Sequence, residues 1–466
     1  MNLRKTYLSL GLSVFLIPAY AANPDEGSSA GSPFSAPAVA DLYPKDKDAG
    51  RSLPDKWTFN DCLEYALANS TDVRQALLAV LQADEDIGAA KDAWLPSVGF
   101  STNQGFVNYP VSSEGRTSNA YTSSYGINAN WTVWEGNVRK YRLQSAEILR
   151  QQQQLAGDDV VKELTLGILS AYLNIMYARE AVAIAEKTLE VSTSQTERAR
   201  RLMESGRTSK VDYAQIESQM AQDKYNVVQA QSNLATAKMN LKKILTLGLD
   251  YDLEIADPLL SDSEISMTLP SQRQTFDAAS AWLPQIQSNE LNKEIYANDV
   301  KIAKAGNLPN IALQGNVATG YNSGGKGWGW QMGHALNEQI GVSVSVPIYD
   351  GNATKRAVAK AKLNELEYDI NRQKLLDDLS QTIESLYIDA SNAKAKYDSG
   401  TTQLSSAQIT ADLVDRQFEL GLVNPLELLT AHNNLLNARL QLLQSKFMAI
   451  LANKTINYYA TTQVAL

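Results

Sequence analysis

The chain of 466 residues has one cysteine, Cys62. An intramolecular disulfide is therefore excluded, and a lone cysteine reads as a small apolar core residue rather than a reactive thiol. Histidine occurs only twice, as His334 in a glycine-rich stretch and His432 near the C-terminal end. Neither stands in an H-E-x-x-H pattern or beside a cysteine at ligand spacing, so no resident metal is expected. His432 could meet a metal together with Glu427, but a lumen-facing or interhelical polar role is the plainer reading. No G-x-S-x-G nucleophile elbow and no phosphate-binding G-x-x-x-x-G-K-[ST] loop occurs, which leaves no basis for catalysis and no cofactor. Excess positive charge is also lacking. The net charge is −9, which argues against nucleic acid as a partner. No stretch reaches 18 consecutive apolar residues, so no transmembrane helix is expected.

The first 21 residues nonetheless read as a secretory signal peptide. Arg4 and Lys5 form a basic start, Leu8 to Ile17 an apolar core, and Ala19-Tyr20-Ala21 a small-x-small cleavage site. Losing those two cations takes the exported chain from −9 to −11. No cysteine follows the cleavage site, so a lipid anchor there is not expected. Residues 22–56 are rich in Ser, Ala, Pro, Gly and Asp without periodicity, and read as a disordered leader. An exported chain without a spanning helix can cross a membrane only with strands.

Proline is present but unevenly spread. None of the fourteen lies between Pro110 and Pro258, or between Pro347 and Pro425. Proline breaks helix interiors, so these gaps are where long helices can form. The two gaps also mark a repeat. "WEGN" at 134–137 returns as "YDGN" at 349–352, "LPSV" at 95–98 as "LPNI" at 308–311, and "SAYL" at 170–173 as "SLYI" at 385–388. "ESGRTSKVDY" at 204–213 returns as "ELGLVNPLEL" at 419–428. Landmarks in one order at a nearly constant offset mean a duplicated domain; the period is too long for a solenoid. The units are 57–257 and 271–460, with a linker at 258–270 and a short tail at 461–466. Each unit reads helix, strand, strand, long helix, turn, helix.

The strands are expected from alternation. Tyr121, Tyr125, Ile127, Ala129, Trp131 and Val133 alternate with Thr122, Ser124, Asn128, Asn130 and Thr132, which puts the two sets on opposite faces. A weaker strand runs from Pro96 to Tyr109. In the second unit, Ile311 to Tyr321 and Ile340 to Ile348 alternate in the same way. The links "PVSSEGRTSN" and "NSGGKGWGWQMG" are polar and glycine-rich. A soluble sheet with one wet face would give this pattern. So would a barrel wall, whose strands need about 9–11 residues and aromatic girdles at the interfaces. Tyr121, Trp131, Trp134, Tyr321 and Tyr349 stand near the strand ends and are the candidate interface aromatics. Tyrosine is plentiful (21 against 8 Phe), as suits such a boundary. Four strands cannot close a barrel, and open edges are not tolerated in lipid, so a spanning sheet requires an oligomer.

The proline-free windows 136–203 and 351–418 would each reach about 100 Å as helix. In the last helix, Leu426, Leu429, Asn433, Leu436 and Leu440 follow 3-4 spacing. Leu428, Ala431, Leu435 and Ala438 repeat it two residues on. Two offset seams give one helix two neighbours, as in a ring of helices. Ordinary bundle packing with a wide apolar face is the alternative.

Taken together, helix, "LPS/LPN", strand pair, aromatic-acid-Gly-Asn, long helix, "x-G-x5-acid" and helix resemble the TolC family of outer-membrane channel proteins. The resemblance covers about residues 57–460. It implies a mainly α fold with a β-barrel contribution. Each subunit would bring four transmembrane β-strands and long coiled-coil helices. A homotrimer would then close a twelve-stranded barrel on a periplasmic α-helical barrel. It also implies an outer-membrane location with a large periplasmic portion, lipid around the barrel, and two partners: a periplasmic adaptor (membrane fusion) protein and an inner-membrane transporter. The duct would be passive and would serve tripartite efflux or type I secretion. A pore-free periplasmic coiled coil is the alternative, and an exported hydrolase lacks its catalytic residues.

The chemistry is expected at the helical turns. Gly206 and Gly421 let the chain reverse. Ser209 and Asn424 suit N-caps, Pro425 the first helical position, and Asp212 and Glu427 the reciprocal capping place. By resemblance, Glu427 sits where the family carries an acidic ring at its entrance; three copies would attract cations. The family's second acid corresponds to Thr430. Its gating Tyr and Arg correspond to Phe418 and Val423, so the usual lock is missing here. The tips that would meet the adaptor are Gly206, Arg207, Thr208 and Ser209, with Gly421, Leu422, Val423 and Asn424.

Overall fold

The computed structural model describes residues 54–108, 119–256, 262–265 and 268–464. The signal peptide, most of the leader and the link at 110–118 lie outside the described residues. A capping box starts the first helix, α1 (Phe59–Asn69): Thr58 Oγ1 accepts from the Asp61 N–H at 3.2 Å and Asp61 Oδ2 accepts from the Thr58 N–H at 3.0 Å. Where one helix is expected there are two. Ser70 leaves helical geometry and caps α2 (Thr71–Asp92) through its hydroxyl. The second unit breaks at the matching place, between α5 (Gln272–Trp282) and α6 (Pro284–Ala305). There Pro284 opens the new helix, because its missing N–H is no loss at that position.

Four strands follow the expected alternation: β1 (Ser97–Asn108), β2 (Asn119–Trp134), β3 (Asn310–Asn322) and β4 (Asn337–Ser345). They form one antiparallel sheet in the order β1-β2-β3-β4. The β2–β3 ladder joins the two units. Phe100 lies opposite Ile127, Ile127 opposite Val317, Trp131 opposite Leu313, and Leu313 opposite Val342. Cross-strand partners share a face, so apolar rows run from strand to strand, the first of them ending opposite Glu338 of β4. β4 ends three residues short of the expected Ile348, before Pro347, which cannot donate to a ladder. Ile348 and Tyr349 therefore stand in the exposed link to the next helix. The glycine-rich link between β3 and β4 is not all loop, for it holds the short helix α7 (Trp328–His334).

The proline-free windows are α3 (Val138–Glu204) and α8 (Ala353–Glu419), 67 residues each, about 100 Å long. They pair with α4 (Lys210–Ile244) and α9 (Pro425–Thr461) as two antiparallel hairpins. Among the described residues, no helix is long and apolar enough to cross a membrane. The main core lies partway along the helices, where Ile168, Tyr172, Leu241 and Ile450 surround Trp57 and Cys62. Burial pushes the Cys62 thiol up to about 12, so it stays a protonated, inert core group. The chain's start is tied down there. Trp57 exchanges backbone hydrogen bonds with Glu254 and Ala256, and the Tyr251 hydroxyl donates to the Pro54 carbonyl at 3.2 Å. Residues 54–56 of the expected leader are therefore held against the core. The described part of the expected linker is pinned as well: Ile265 is buried, and Lys454 pairs with Glu264 at 2.7 Å.

Candidate functional site

Two features of the fold bear on function: the helical tips and the sheet face. The repeated phrases connect them. In each, glycine and asparagine are consecutively left-handed, Gly136 and Asn137 at φ 67° and 66°, Gly351 and Asn352 at 68° and 67°. Glycine and asparagine tolerate this conformation best. The acid before them serves the helix start. Asp350 Oδ2 accepts from the Thr354 N–H at 2.7 Å, and hydrogen bonds from Thr354 hold its carboxyl below the usual range. Glu135 instead pairs with Arg139 at 3.5 Å. In the first unit the site is also tight: a Cβ on Gly136 would lie 2.9 Å from Leu308, whereas one on Gly351 would meet nothing.

At the far end, Gly206 and Gly421 are left-handed, at φ 70° and 72°. The following N–H reaches back across each turn, from Arg207 to the Leu202 carbonyl (2.8 Å) and from Leu422 to the Gln417 carbonyl (2.9 Å), the Schellman closure. Ser209 and Asp212 then form a full capping box, and Thr208 also donates to Asp212 Oδ2 at 3.5 Å. Asn424 Oδ1 accepts from the Glu427 N–H at 2.9 Å, but among the described residues the Glu427 carboxylate meets only the Asn424 side-chain amide, at 3.3 Å. Glu427 is exposed. Thr430 is exposed too, and its hydroxyl donates to the Leu426 carbonyl at 2.7 Å.

Phe418 and Val423 pack toward the other hairpin, Phe418 buried and Val423 half-buried. Phe418 is buried with Ala199, Ile216 and Leu428, and Val423 packs beside them. This cluster fastens one hairpin to the other. Polar links reinforce it, and sequence reasoning named none of their partners. Arg198 on α3 pairs with Glu419 on α8 at 2.5 Å. Further along, His432 Nε2 lies 2.8 Å from Asp415 Oδ1 and 2.7 Å from Gln195 Nε2, so His432 is an interhelical group. Asp223 is buried nearby. Burial raises its pKa despite hydrogen bonds from Gln219 and Ser192 and the field of His432. Among the described residues, no cluster of three His, Cys, Asp or Glu side chains could hold a metal.

On the sheet, Phe100 is 69% exposed and Ile340 85%, with Val98, Ile127 and Val342 also open. Tyr121 lies between Phe106 and Tyr321, with ring centroids 5.1 and 6.4 Å away. Trp131 and Trp134 stand at the other end of β2, beside the helices. Trp131 Nε1 donates to the Trp94 carbonyl at 2.9 Å, and the Arg139 guanidinium covers the Trp94 ring at 4.8 Å. Trp94 was not singled out from sequence because it lies on the helix side of "LPSV".

Comparison with known proteins agrees with this geometry. A family model described as "Outer membrane efflux protein" matches residues 62–246 and 276–454. The outer membrane efflux protein BepC of Brucella suis is 23% identical over 398 residues, covering 85% of this chain and 83% of that protein. Crystal structures of CusC superpose with a TM-score of 0.71 at 18% identity, over 92% of this chain and 98% of that one. The outer-membrane channel OprN does so with 0.68 at 19%, over 94% and 98%. These structural likenesses are likenesses of fold.

Proposed function

This chain belongs to the outer membrane efflux protein family, and we propose that three copies close their sheets into one twelve-stranded barrel continued by a tunnel of long helices. Membership makes it an outer-membrane efflux duct rather than an enzyme. The observation that carries the trimer is the unmatched surface of a single subunit. One sheet face carries exposed apolar side chains on all four strands, among them Val98, Phe100, Ile127, Val317, Ile340 and Val342, and β1 and β4 are left as edges. Lipid accepts the face but not the edges; β1 against β4 of the next copy removes them. The helices support the same reading. On α8, Leu363, Leu366 and Ile370 are exposed at 3-4 spacing, and Val211 and Leu426 are exposed at the two tips. Such seams call for neighbouring helices.

In this reading the two repeats, 57–257 and 271–460 around a 258–270 linker, supply two strands and one hairpin each. Three Glu427 carboxylates ring the entrance and favour cations. The apolar cluster at Phe418 and the Arg198–Glu419 pair hold the hairpins together in place of the family's lock. The tips 206–209 and 421–424, with Leu422 exposed, receive a periplasmic adaptor, and an inner-membrane transporter supplies the energy for efflux or type I secretion. Conductance across a planar bilayer, wild type beside Glu427→Ala, tests this. Discrete cation-selective steps that lose selectivity in the variant support both duct and ring. Steps insensitive to the variant remove Glu427 from the pore. Failure of folded, oligomeric protein to insert would favour a pore-free coiled coil.

A further inference from the structure

The short helix α7 occupies a gap in the sheet. β4 begins opposite Ala318, so residues 319–322 of β3 have no β4 partner. Gln331 of α7 stands in for one. Its side chain accepts from the Asn322 N–H at 2.9 Å and donates to the Asn322 carbonyl at 2.8 Å. Thr319 shares a face with Val317 and Leu313, since alternate residues of a strand do. Its hydroxyl donates to the Met332 carbonyl at 2.8 Å. The helix therefore lies on the apolar side of the sheet, at the end remote from the long helices. With about 100° between residues, Gln331 and Met332 turn toward β3 and Trp330 and His334 turn away.

The exposed surface of α7 is aromatic and basic. Trp328 is 57% exposed and Trp330 46%. Lys326 Nζ sits 4.0 Å from the Trp330 ring, and His334 stacks on that ring at 4.1 Å. His334 Nδ1 lies 2.8 Å from the Trp330 carbonyl, which can only accept, so Nδ1 carries the proton and donates. The patch continues the Tyr321–Tyr121–Phe106 row. Trp131 lies ten residue steps along β2 from Tyr121, about 33 Å along a strand, or about 25 Å of height at a barrel's usual tilt. That is the height of an outer-membrane apolar band, so Tyr121 and α7 mark its second boundary.

We propose that α7 is an interfacial anchor seated in the phosphate-bearing headgroup layer of the leaflet remote from the helices. The two indoles lie at the headgroup–acyl boundary, where tryptophan is favoured. Lys326 meets lipid phosphate. The inference rests on the barrel reading above, and the test separates the two. Full-length protein is reconstituted in vesicles of zwitterionic and anionic phospholipid carrying bromine either near the headgroups or deep in the chains. The I127W variant reports the middle of the band. W328F/W330F removes two of seven tryptophans conservatively, and K326Q removes the cation alone.

The expected result is deep quenching of I127W, together with headgroup-level quenching of wild type that falls in W328F/W330F. K326Q should lose the dependence of that quenching on anionic lipid. Deep quenching of I127W with no fall in W328F/W330F would overturn the anchor and leave the barrel standing. Emission from the two indoles that changes only when the oligomer is dissociated would do the same, by showing a neighbouring subunit over the patch. Absence of deep quenching in I127W would overturn the barrel reading and the anchor with it.

Discussion

The two helical tips meet one backbone demand with different side chains. Both reverse at a left-handed glycine and close the turn with the same back-reaching N–H. In the α3–α4 tip, Asp212 is half-buried and bonded to its own cap at Ser209. In the α8–α9 tip, Asn424 and Pro425 begin the helix, and the longer Glu427 is left exposed beside the Asn424 amide. One acid completes a capping box; its counterpart stays exposed. The two turns share one backbone closure, and the choice between Asp and Glu, with the cap before it, left one acid engaged in capping and the other exposed.

The largest way to break the comparison is to remove what joins the tips. Leu428 is fully buried in their shared cluster. We expect Leu428→Ala to cost about 2–5 kcal/mol, read as faster hydrogen exchange in both tips and longer open times in the bilayer. Protection lost only in α9 would show that the cluster does not couple the hairpins.

Next in size is the cap. Ser209→Ala should cost about 1 kcal/mol through the first turn of α4, with ion selectivity unchanged. Asp212→Ala should follow it at a smaller cost. Glu427→Ala should do the opposite, changing reversal potential while leaving thermal stability near wild type. If Asp212→Ala also changed selectivity, the two tips would share the entrance.

Smaller still is Arg198→Ala. Both partners of this ion pair are about half exposed, so the stability change should be within about 1 kcal/mol. Its effect belongs in gating, as a higher open probability that is less sensitive to salt than in wild type.

The smallest effect concerns Asp223, and its sign is set by pH. Its folded-state pKa is raised, so its contribution is fully present below the unfolded value and is lost as pH rises through the folded one. Asp223→Asn should therefore match wild type in acid and melt higher near neutrality. A variant that is less stable at neutral pH would show that the ionised carboxylate is favoured there.

Much of this protein was legible in short windows of sequence. Alternation at 121–133 and 311–321, the proline-free windows, the glycines of the turns and the Ser209–Asp212 cap all act within a few residues. The repeat showed because both copies kept those local needs. The breaks at Ser70 and Pro284 were local as well, and were passed over because each side continues as helix. What meets across 200 residues has no such period. Phe418, an expected gating position, is buried against Ala199 and Ile216 of the other hairpin. The partners of His432 and Arg198 come from separate helices. A glycine-rich link folded as α7 because the end of β3 needed hydrogen-bond partners that β4 is too short to provide. Sequence by itself determined the elements, their order and their duplication, since backbone geometry and side-chain period are local. Only the tertiary structure decided which side chains meet, because contacts between distant segments depend on packing that no local pattern records.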